Sequence, residues 1–273
     1  MTFSLITATL GRVEEIRILC ESLVMQTYKD FELYIIDQNS HNLVEDIVNQ
    51  FKTAFIIHYI RNDKKGLSLN RNIALRMASG EIFGFPDDDC YYAQDTLEQV
   101  YKTFQKDRES LFVATSTYDS ITKNLQRTFS TKNIYKKDVL QTCISYNMFV
   151  RKNTLLFDER LGVGTYFSSG EETDYLYSLI HESKTKYGTF CNSAKVFHPS
   201  TPSNSYDKIY KYSLGFAALQ KKDWLVRKDI HALAVYAHYL LRAFCGMLLI
   251  KHFKKNWCSF TGKIIGFIKF KVD

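Results

Sequence analysis

The sequence has few residues that would interrupt or cross-link a fold. Its 273 residues include three prolines, and no low-complexity tract or internal repeat is apparent. The six cysteines form no CxxC pair and lie mostly in apolar runs, which predicts buried thiols in a reducing compartment. The N-terminal stretch lacks the charged segment and long apolar run of a secretion signal. We therefore predict a compact, folded protein that is located in the cytoplasm.

Length and composition allow a sizeable hydrophobic core. Hydrophobic residues make up 45% of the chain and charged residues 24%, which predicts a folded protein rather than a disordered one. A chain of this length can form one large α/β domain with a shorter appendage. We place the division where the character of the sequence changes, with a catalytic domain over 1–206 and a tail over 207–273.

Positive charge is concentrated in the tail. Residues 207–273 contain 13 Lys+Arg against 4 Asp+Glu, a balance of +9, whereas residues 1–206 contain 23 against 25, a balance of −2. The apolar run Ile230–Ile250, interrupted by His238 and Arg242, favours a helix that rests on an anionic membrane surface, and not a nucleic-acid-binding segment. Arg242 makes a membrane-spanning helix costly. A helix packed on the catalytic domain or across a dimer is the alternative.

The first 85 residues alternate between strand-like and helix-like segments. The predicted strands are Phe3–Thr9, Phe31–Ile36, Phe55–Ile60 and Ile82–Phe85, and the predicted helices are Arg12–Met25, Leu43–Phe51 and Ser68–Met77. We expect Gly80 to end the third helix in a left-handed conformation. This alternation predicts a parallel sheet with helices on both faces, in which ligands bind at the carboxyl ends of the strands.

The next part of the chain continues the same pattern with longer interruptions. We predict helices over Asp95–Phe104 and Glu172–Ile180, and strands over Leu111–Thr117, Cys143–Arg151 and Thr189–Phe197. The polar excursion Asp119–Asp138 is long enough to predict an acceptor-facing loop.

Three consecutive aspartates follow a predicted buried strand. Asp87, Asp88 and Asp89 come directly after the segment Phe83–Pro86. Such crowding is repulsive unless a cation or solvent relieves it. Hard cations such as Mg²⁺ and Mn²⁺ bind carboxylate oxygens together with substrate phosphates. A solvated acidic turn is the alternative, but the position at the carboxyl end of a strand favours a functional site.

Two further side chains are predicted at the same edge of the sheet. Asp37 ends the second strand, where a carboxylate can accept a hydrogen bond from a ribose hydroxyl or a base N–H; a helix cap or turn is the alternative. Arg71 lies on the helix before the fourth strand, and its guanidinium is suited to a phosphate or to stacking on a base. A surface salt bridge is the alternative for Arg71.

Candidate catalytic residues and a candidate ligand follow later in the chain. Glu171, Glu172 and Asp174 begin a predicted helix, where the helix dipole stabilises negative charge. An ordinary capping cluster would show the same pattern. His198 follows the last predicted strand, and an imidazole beside carboxylates is tolerated by Mn²⁺, although a lone histidine is more often structural.

Taken in order, these motifs resemble the family 2 inverting glycosyltransferases, which have the GT-A fold. The resemblance covers about residues 3–200. Its motifs are Thr7–Arg12, Ile36–Asp37, Arg71–Asn72, Ala78–Glu81, Pro86–Asp89, Phe157–Glu159, Leu161–Gly162, Gly170–Asp174 and His198. The resemblance implies a Rossmann-like, mostly parallel α/β sheet flanked by helices, which is followed here by a helical tail.

The resemblance also implies roles for individual residues. The implied nucleotide-sugar site consists of Thr7, Thr9, Arg12, Asp37, Arg71, Asp87 and Asp88. Asp87 and Asp89 would hold Mn²⁺ or Mg²⁺, with Asp89 as a direct ligand and His198 as an additional one. Glu172 stands where many members carry an aspartate as the general base, which leaves Glu171 and Asp174 as alternatives.

The implied activity is transfer of a sugar, with inversion, from a nucleotide-diphosphate sugar to a hydroxyl of a saccharide acceptor. In relatives that build surface polysaccharides, such tails often contact a polyprenyl-linked acceptor, so the resemblance implies a lipid-linked acceptor side for the tail and a location at the inner face of the plasma membrane. The alternative in which the tail packs across a dimer leaves an oligomer open. A sugar nucleotidyltransferase is an alternative, but Thr9–Arg12 is a poor match to a Gly-rich phosphate loop. A catalytically silent carbohydrate- or membrane-binding protein is another, but it would not need the intact carboxylates.

Overall fold

A computed structural model describes residues 1–200, 205–249 and 252–272. Its strands are β1 (Phe3–Thr9), β2 (Phe31–Asp37), β3 (Ile56–Arg61), β4 (Ile82–Gly84), β5 (Tyr91–Tyr92), β6 (Phe112–Asp119), β7 (Leu125–Arg127), β8 (Asn133–Tyr135), β9 (Met148–Arg151) and β10 (Tyr187–His198). Its helices are α1 (Glu14–Val24), α2 (Leu43–Phe51), α3 (Leu67–Leu75), α4 (Thr96–Lys106), α5 (Lys136–Thr142), α6 (Glu171–Glu182), α7 (Tyr206–Leu225), α8 (His231–Met247) and α9 (Phe253–Lys269).

The chain forms two compact units. Unit 1 contains residues 1–65, 69–156 and 182–200, and unit 2 contains residues 66–68, 157–181 and 201–273. The boundaries of these units reflect contacts within the chain and do not show which residues share a function. The division into a catalytic domain over 1–206 and a tail over 207–273 therefore stays a prediction.

Unit 1 is built on a mixed β-sheet with the strand order β3-β2-β1-β4-β9-β6-β10-β5. The first four strands in this order are parallel, which confirms the prediction from the β-α-β alternation. Strand β9 runs antiparallel to both β4 and β6. Because β2 and β4 lie on opposite sides of β1, the strand order reverses at β1, and such a switch point opens a crevice at the carboxyl ends of the strands.

Strands β1 and β2 are buried along their whole length. Every residue of Phe3–Thr9 and Phe31–Asp37 is buried, as expected for central strands covered on both faces. Leu19 and Leu23 of α1 belong to the same hydrophobic core as Phe3 of β1. The parallel register pairs Thr9 with Asp37, so both polar residues reach the same edge of the sheet.

Gly80 does not have the left-handed conformation that we predicted. The glycines with positive φ are Gly11, Gly66, Gly162, Gly164 and Gly170. Helix α3 ends earlier than expected, at Leu75. A Cβ atom at Gly80 would lie 2.7 Å from the backbone nitrogen of Ser4. Glycine is therefore required there because the turn passes against β1, and not because of its φ angle.

The predicted strand Cys143–Arg151 is only partly a strand. Residues Ser145–Asn147 form a 3₁₀ turn, and the strand begins at Met148. The side chain of Asn147 donates to the backbone oxygens of Thr115 (2.9 Å) and Thr142 (3.0 Å), and it accepts from the N–H of Ile144 (2.8 Å). These side-chain hydrogen bonds replace strand pairing over this turn. The excursion Asp119–Asp138 contains β7 and β8, and its acceptor-facing role stays a prediction.

Unit 2 contains the predicted helical tail as three helices, α7 to α9. Helices α7 and α9 pack closely, since a Cβ atom at Gly262 would lie 2.7 Å from the backbone oxygen of Tyr210. The predicted apolar helix over Ile230–Ile250 is observed as α8, and Ile250 lies outside the described residues. Within the described part of the chain, every helix is too short or too polar to cross a membrane.

Candidate active site

The three aspartates lie where β4 ends, beside the central strand β1. The side chains of Asp87, Asp88 and Asp89 are 26%, 14% and 10% exposed. The two-residue strand β5 follows them and pairs antiparallel with β10, so that Tyr91 is opposite Phe197. This pairing brings the end of β10 to the aspartates.

His198 is the residue that this pairing delivers. Its Nε2 atom lies 3.1 Å from Oδ1 of Asp89 and 3.9 Å from Oδ2 of Asp87. Its ring stacks on Tyr146 with a centroid distance of 4.3 Å and an interplanar angle of 6°. Its Nδ1 atom lies 2.8 Å from the backbone oxygen of Pro199. The stacking and this hydrogen bond fix the ring, so that Nε2 faces the carboxylates.

Asp87, Asp89 and His198 have the geometry and the chemistry of a metal site. One ligand atom from each lies within 4.8 Å of the others. Two carboxylates and one imidazole are a donor set that Mn²⁺ accepts, and carboxylates also suit Mg²⁺. Three protein ligands leave further coordination positions for substrate oxygens. The predicted ligands are therefore together in the structure, while their function as ligands stays a prediction.

Arg12 provides positive charge at the same carboxylates. Its Nη1 atom lies 3.2 Å from Oδ1 of Asp88 and forms a second ion pair with Oδ2 of Asp89. Burial raises the pKa of Asp88 to about 6, although the charge of Arg12 acts to lower it. Burial also acts to raise the pKa of Asp89, but the hydrogen bond and charge of His198, together with Arg12, hold that pKa below its ordinary value. Asp89 is therefore better prepared than Asp88 to stay ionised.

Arg71 is buried and not a surface ion-pair residue. Its side chain is 1% exposed, and its Nη2 atom lies 2.7 Å from Oδ1 of Asp87. The same Oδ1 atom accepts a hydrogen bond of 3.0 Å from the hydroxyl of Ser145. Two donors on one oxygen fix the orientation of Asp87 and leave Oδ2 directed toward His198. In this structure Arg71 acts first as a positioning residue for Asp87.

Asp37 is fully buried at the end of β2, and both of its oxygens accept hydrogen bonds. Oδ1 accepts from the backbone N–H (2.9 Å) and the side-chain amide (2.8 Å) of Asn39, and Oδ2 accepts from the hydroxyl of Tyr59 (2.6 Å). The side-chain oxygen of Asn39 accepts from the N–H of Gly11 (2.7 Å). Asp37 thus organises the loops that follow β1 and β2. Its contact with a ribose or base stays a prediction.

Thr7 and Thr9 use their hydroxyls within the protein. Thr7 Oγ1 donates to the backbone oxygen of Pro86 (3.1 Å), which ties β1 to the turn that carries the aspartates. Thr9 Oγ1 donates to the backbone oxygen of Arg12 (3.2 Å). Both hydroxyls therefore shape the edge of the sheet, and their contact with a nucleotide stays a prediction.

The three candidate bases belong to α6 of unit 2, and they differ in burial. Asp174 is buried, with Oδ2 2.8 Å from Nζ of Lys222 and Oδ1 2.5 Å from Nη2 of Arg227. Both of its oxygens are therefore engaged in ion pairs. Glu171 is also buried, whereas Glu172 is partly exposed to solvent. Solvent access distinguishes Glu172 from the other two.

Sequence reasoning missed four residues that support the site. Ser145 and Tyr146 contact Asp87 and His198, and Asn39 and Tyr59 hold Asp37. Asn39 lies two residues after Asp37, and an Asx-type turn was a detectable signal at that spacing. The other three come from distant segments, and no local pattern marks them.

Comparison with protein families gives one match over most of unit 1. Residues 4–160 match the family described as glycosyl transferase family 2. These residues include β1 to β4, the three aspartates, Arg12, Asp37 and Arg71.

Relatives with similar sequences carry glycosyltransferase names. An uncharacterized glycosyltransferase of Rickettsia felis is 27% identical over 201 residues, which are 71% of this chain and 32% of that protein. The chain thus spans about a third of the length of that relative. The UDP-Glc:alpha-D-GlcNAc-diphosphoundecaprenol beta-1,3-glucosyltransferase of Escherichia coli is 32% identical over 86% of this chain and 88% of its own. The GalNAc(5)-diNAcBac-PP-undecaprenol beta-1,3-glucosyltransferase of Campylobacter jejuni is 27% identical over 92% and 84%.

Solved structures share the fold. S. aureus TarS in complex with UDP matches with a TM-score of 0.65 at 16% identity, covering 97% of this chain and 91% of that chain. The mannosyltransferase PcManGT of Pyrobaculum calidifontis, in complex with GDP-Man and Mn²⁺, matches with a TM-score of 0.62 at 13% identity, covering 97% and 85%. At these identities the likeness shows the GT-A fold. The fold, the family match and the relatives agree. The chain therefore belongs to glycosyl transferase family 2.

Proposed function

We propose that the protein is a metal-dependent, inverting glycosyltransferase that moves a sugar from a nucleotide-diphosphate sugar to a lipid-linked saccharide. The observation that carries the proposal is the convergence of Asp87, Asp89 and His198 within 4.8 Å, at the edge of the sheet where the strand order reverses. The family match supports the reaction class.

The proposed metal is Mn²⁺ or Mg²⁺, held by Asp87, Asp89 and His198. Bound there, the ion would supply neutralisation of charge on the diphosphate leaving group. The Pyrobaculum mannosyltransferase, which shares the fold, was solved with both GDP-Man and Mn²⁺ bound, and this supports the proposal.

The residues of this chain have separate proposed tasks. Arg71 and Ser145 hold Asp87 in one orientation, and the stack on Tyr146 does the same for His198. Preorganised ligands and dipoles lower the reorganisation that accompanies reaction. The proposed nucleotide-sugar contacts are Thr7, Thr9, Arg12, Asp37, Arg71, Asp87 and Asp88.

Glu172 is the proposed general base. It would accept the proton of the acceptor hydroxyl as the oxygen attacks the anomeric carbon. Its partial exposure supports this role, because a base must reach a substrate from solvent, whereas Asp174 is enclosed by Lys222 and Arg227. Attack from the face opposite the leaving group inverts the configuration at that carbon.

The proposed acceptor is a polyprenyl-diphosphate-linked saccharide. The relatives from E. coli and C. jejuni are named for undecaprenol-linked acceptors. We therefore propose that the enzyme works at the cytoplasmic face of the plasma membrane, on an anionic surface. Oligomer formation stays a prediction.

A donor screen followed by a transfer assay tests the proposal. The purified chain is heated with UDP-, GDP- and dTDP-sugars, with and without Mn²⁺, because a ligand that binds the native state raises the apparent stability. We expect a Mn²⁺-dependent shift with one nucleotide class, then transfer to a lipid-linked saccharide that is lost on Asp89→Ala. Asp207→Ala, which removes an exposed carboxylate, is the matched control. Donor binding without turnover of any sugar would instead indicate a catalytically silent binding protein.

A further inference from the structure

Helix α8 has apolar side chains on its exposed face. Its 17 residues are strongly apolar, yet only Ala232 and Ala243 among them are buried. Leu241, Phe244 and Leu248 are exposed and follow one another at spacings of three and four residues, which places them on one side of a helix. A helix of a globular protein normally turns such a stripe toward the core.

The beginning of α9 lies beside the end of α8 and adds exposed aromatic side chains. The side-chain amide of Asn256 donates to the backbone oxygen of Gly246 (2.9 Å), which ties the end of α8 to the first turn of α9. Phe253 and Trp257 stack with a centroid distance of 6.1 Å, and about half of each side chain is exposed. The α8–α9 patch consists of the exposed side chains Leu241, Phe244, Leu248, Leu249, Phe253 and Trp257.

The charge around the patch has one sign. Residues 230–272 contain seven Lys+Arg, three histidines and no aspartate or glutamate. Lys254 and Lys255 are exposed next to Phe253. A second copy of the same surface would bring like charges together, which disfavours self-association through this patch. An anionic surface complements it.

We propose that the α8–α9 patch docks on an anionic lipid bilayer. The leucine and aromatic side chains would enter the boundary between headgroups and acyl chains, where tryptophan is favoured, and Lys254 and Lys255 would lie at the level of the lipid phosphates. The proposal rests on the proposed function in one respect: a lipid-linked acceptor gives the enzyme a reason to bind a membrane. What is new is the assignment of membrane binding to the α8–α9 patch.

Vesicle flotation of the full chain tests the proposal. Neutral vesicles of phosphatidylcholine are compared with vesicles that also contain phosphatidylglycerol, at low and high salt. We expect binding to the anionic vesicles that weakens with salt, because surface charges are screened. Lys254→Gln/Lys255→Gln should reduce it by roughly fivefold for each lysine. Leu248→Glu/Leu249→Glu should reduce it at least about tenfold, since both leucines are more than half exposed and their loss leaves the core intact.

The control variant is Ile56→Glu/Met77→Glu, which adds two carboxylates at exposed apolar positions of unit 1 and should bind like the parent chain. Circular dichroism checks that each variant is folded. Absence of vesicle binding, binding that ignores the Leu248/Leu249 change, or a dimer that the same change dissociates would overturn the proposal. The transfer assay described under the proposed function separates the two ideas. Transfer without vesicle binding contradicts the docking surface, and vesicle binding without transfer contradicts the enzymatic function.

Discussion

Nη2 of Arg71 lies 2.7 Å from Oδ1 of Asp87, and this guanidinium is almost completely buried beside a proposed metal ligand. Side chains that hydrogen-bond to a metal ligand orient that ligand, and their loss typically lowers metal affinity or activity by about 10- to 100-fold. We therefore expect Arg71→Ala to weaken Mn²⁺ binding, measured by electron paramagnetic resonance, and transfer activity by that factor. Arg71→Lys keeps the charge and should recover part of the Mn²⁺ affinity and transfer activity that Arg71→Ala loses. Unchanged Mn²⁺ affinity in Arg71→Ala would show that Arg71 does not position Asp87 for metal binding.

Arg12 and a metal ion would compete for the same carboxylate. Arg12 pairs with Asp89 as well as with Asp88, so that a cation bound to Asp89 must share or displace the guanidinium. We expect Arg12→Gln to raise the affinity for Mn²⁺ in the absence of donor by several-fold and to weaken donor binding. Isothermal titration with Mn²⁺ alone and then with the donor measures both. Weaker binding of Mn²⁺ alone would mean that Arg12 organises the site instead of competing for it.

Asp174 should contribute to stability more than to chemistry. Its two oxygens pair with Lys222 and Arg227, and the side chains of Asp174 and Arg227 are each 3% exposed. Removing one partner of a buried ion pair costs about 3–5 kcal/mol, and we expect the low end of this range here because Lys222 still pairs with Asp158 and Arg227 with Asp223. We expect Asp174→Asn to lower the free energy of unfolding in urea by an amount of this order. A variant with full stability and no activity would make Asp174 a candidate base again.

Glu172 should contribute to catalysis more than to stability. General base catalysis typically contributes about 10²–10⁴-fold to a rate, so Glu172→Gln should reduce kcat by a factor in this range. Its thermal stability and donor affinity should be unchanged, because the side chain is partly exposed. Steady-state kinetics with a Glu182→Gln control, which alters an exposed carboxylate at the end of α6, measures the difference. Equal activity of the two variants would exclude Glu172 as the base.

Lys263 makes stability depend on pH in the alkaline range. Burial, followed by the charge of Arg242, lowers its pKa from 10.5 to about 8. The unfolded chain keeps this proton up to about pH 10.5 while the folded chain loses it near pH 8, so the contribution of Lys263 to the free energy of unfolding rises between these values. The full difference is roughly 3 kcal/mol. At pH 7 Lys263→Met should be more stable than the parent chain, with the gap narrowing toward pH 10. A constant gap between urea midpoints across this range would contradict the assignment.

The sequence predicted the central elements of unit 1 because their signals are local. Strand Phe3–Thr9 and helix Leu43–Phe51 were predicted with the bounds that the structure has, since continuous apolar runs and helical spacing are read within one segment. The predicted conformation of Gly80 was wrong, because glycine is required there by the backbone of Ser4, which is 76 residues away in the chain.

Contacts between distant segments also determine the geometry of the site, and local sequence signals do not show them. Asp87, Asp89 and His198 were selected one by one as residues that follow strands, and the structure brings them together through the pairing of β5 with β10. A two-residue strand has no recognisable sequence pattern. Ser145 and Tyr146 lie in a turn fixed by the side chain of Asn147, so their contacts with Asp87 and His198 follow from tertiary structure.

The position of His198 in the chain has a consequence for biosynthesis. Asp87 and Asp89 are translated well before His198, because more than 100 residues separate Asp89 from His198 in the sequence. Strand β10, which carries His198, also completes the pairing with β5 and β6. A nascent chain that is halted before this strand therefore holds the two aspartates without the imidazole that lies beside them in the folded chain.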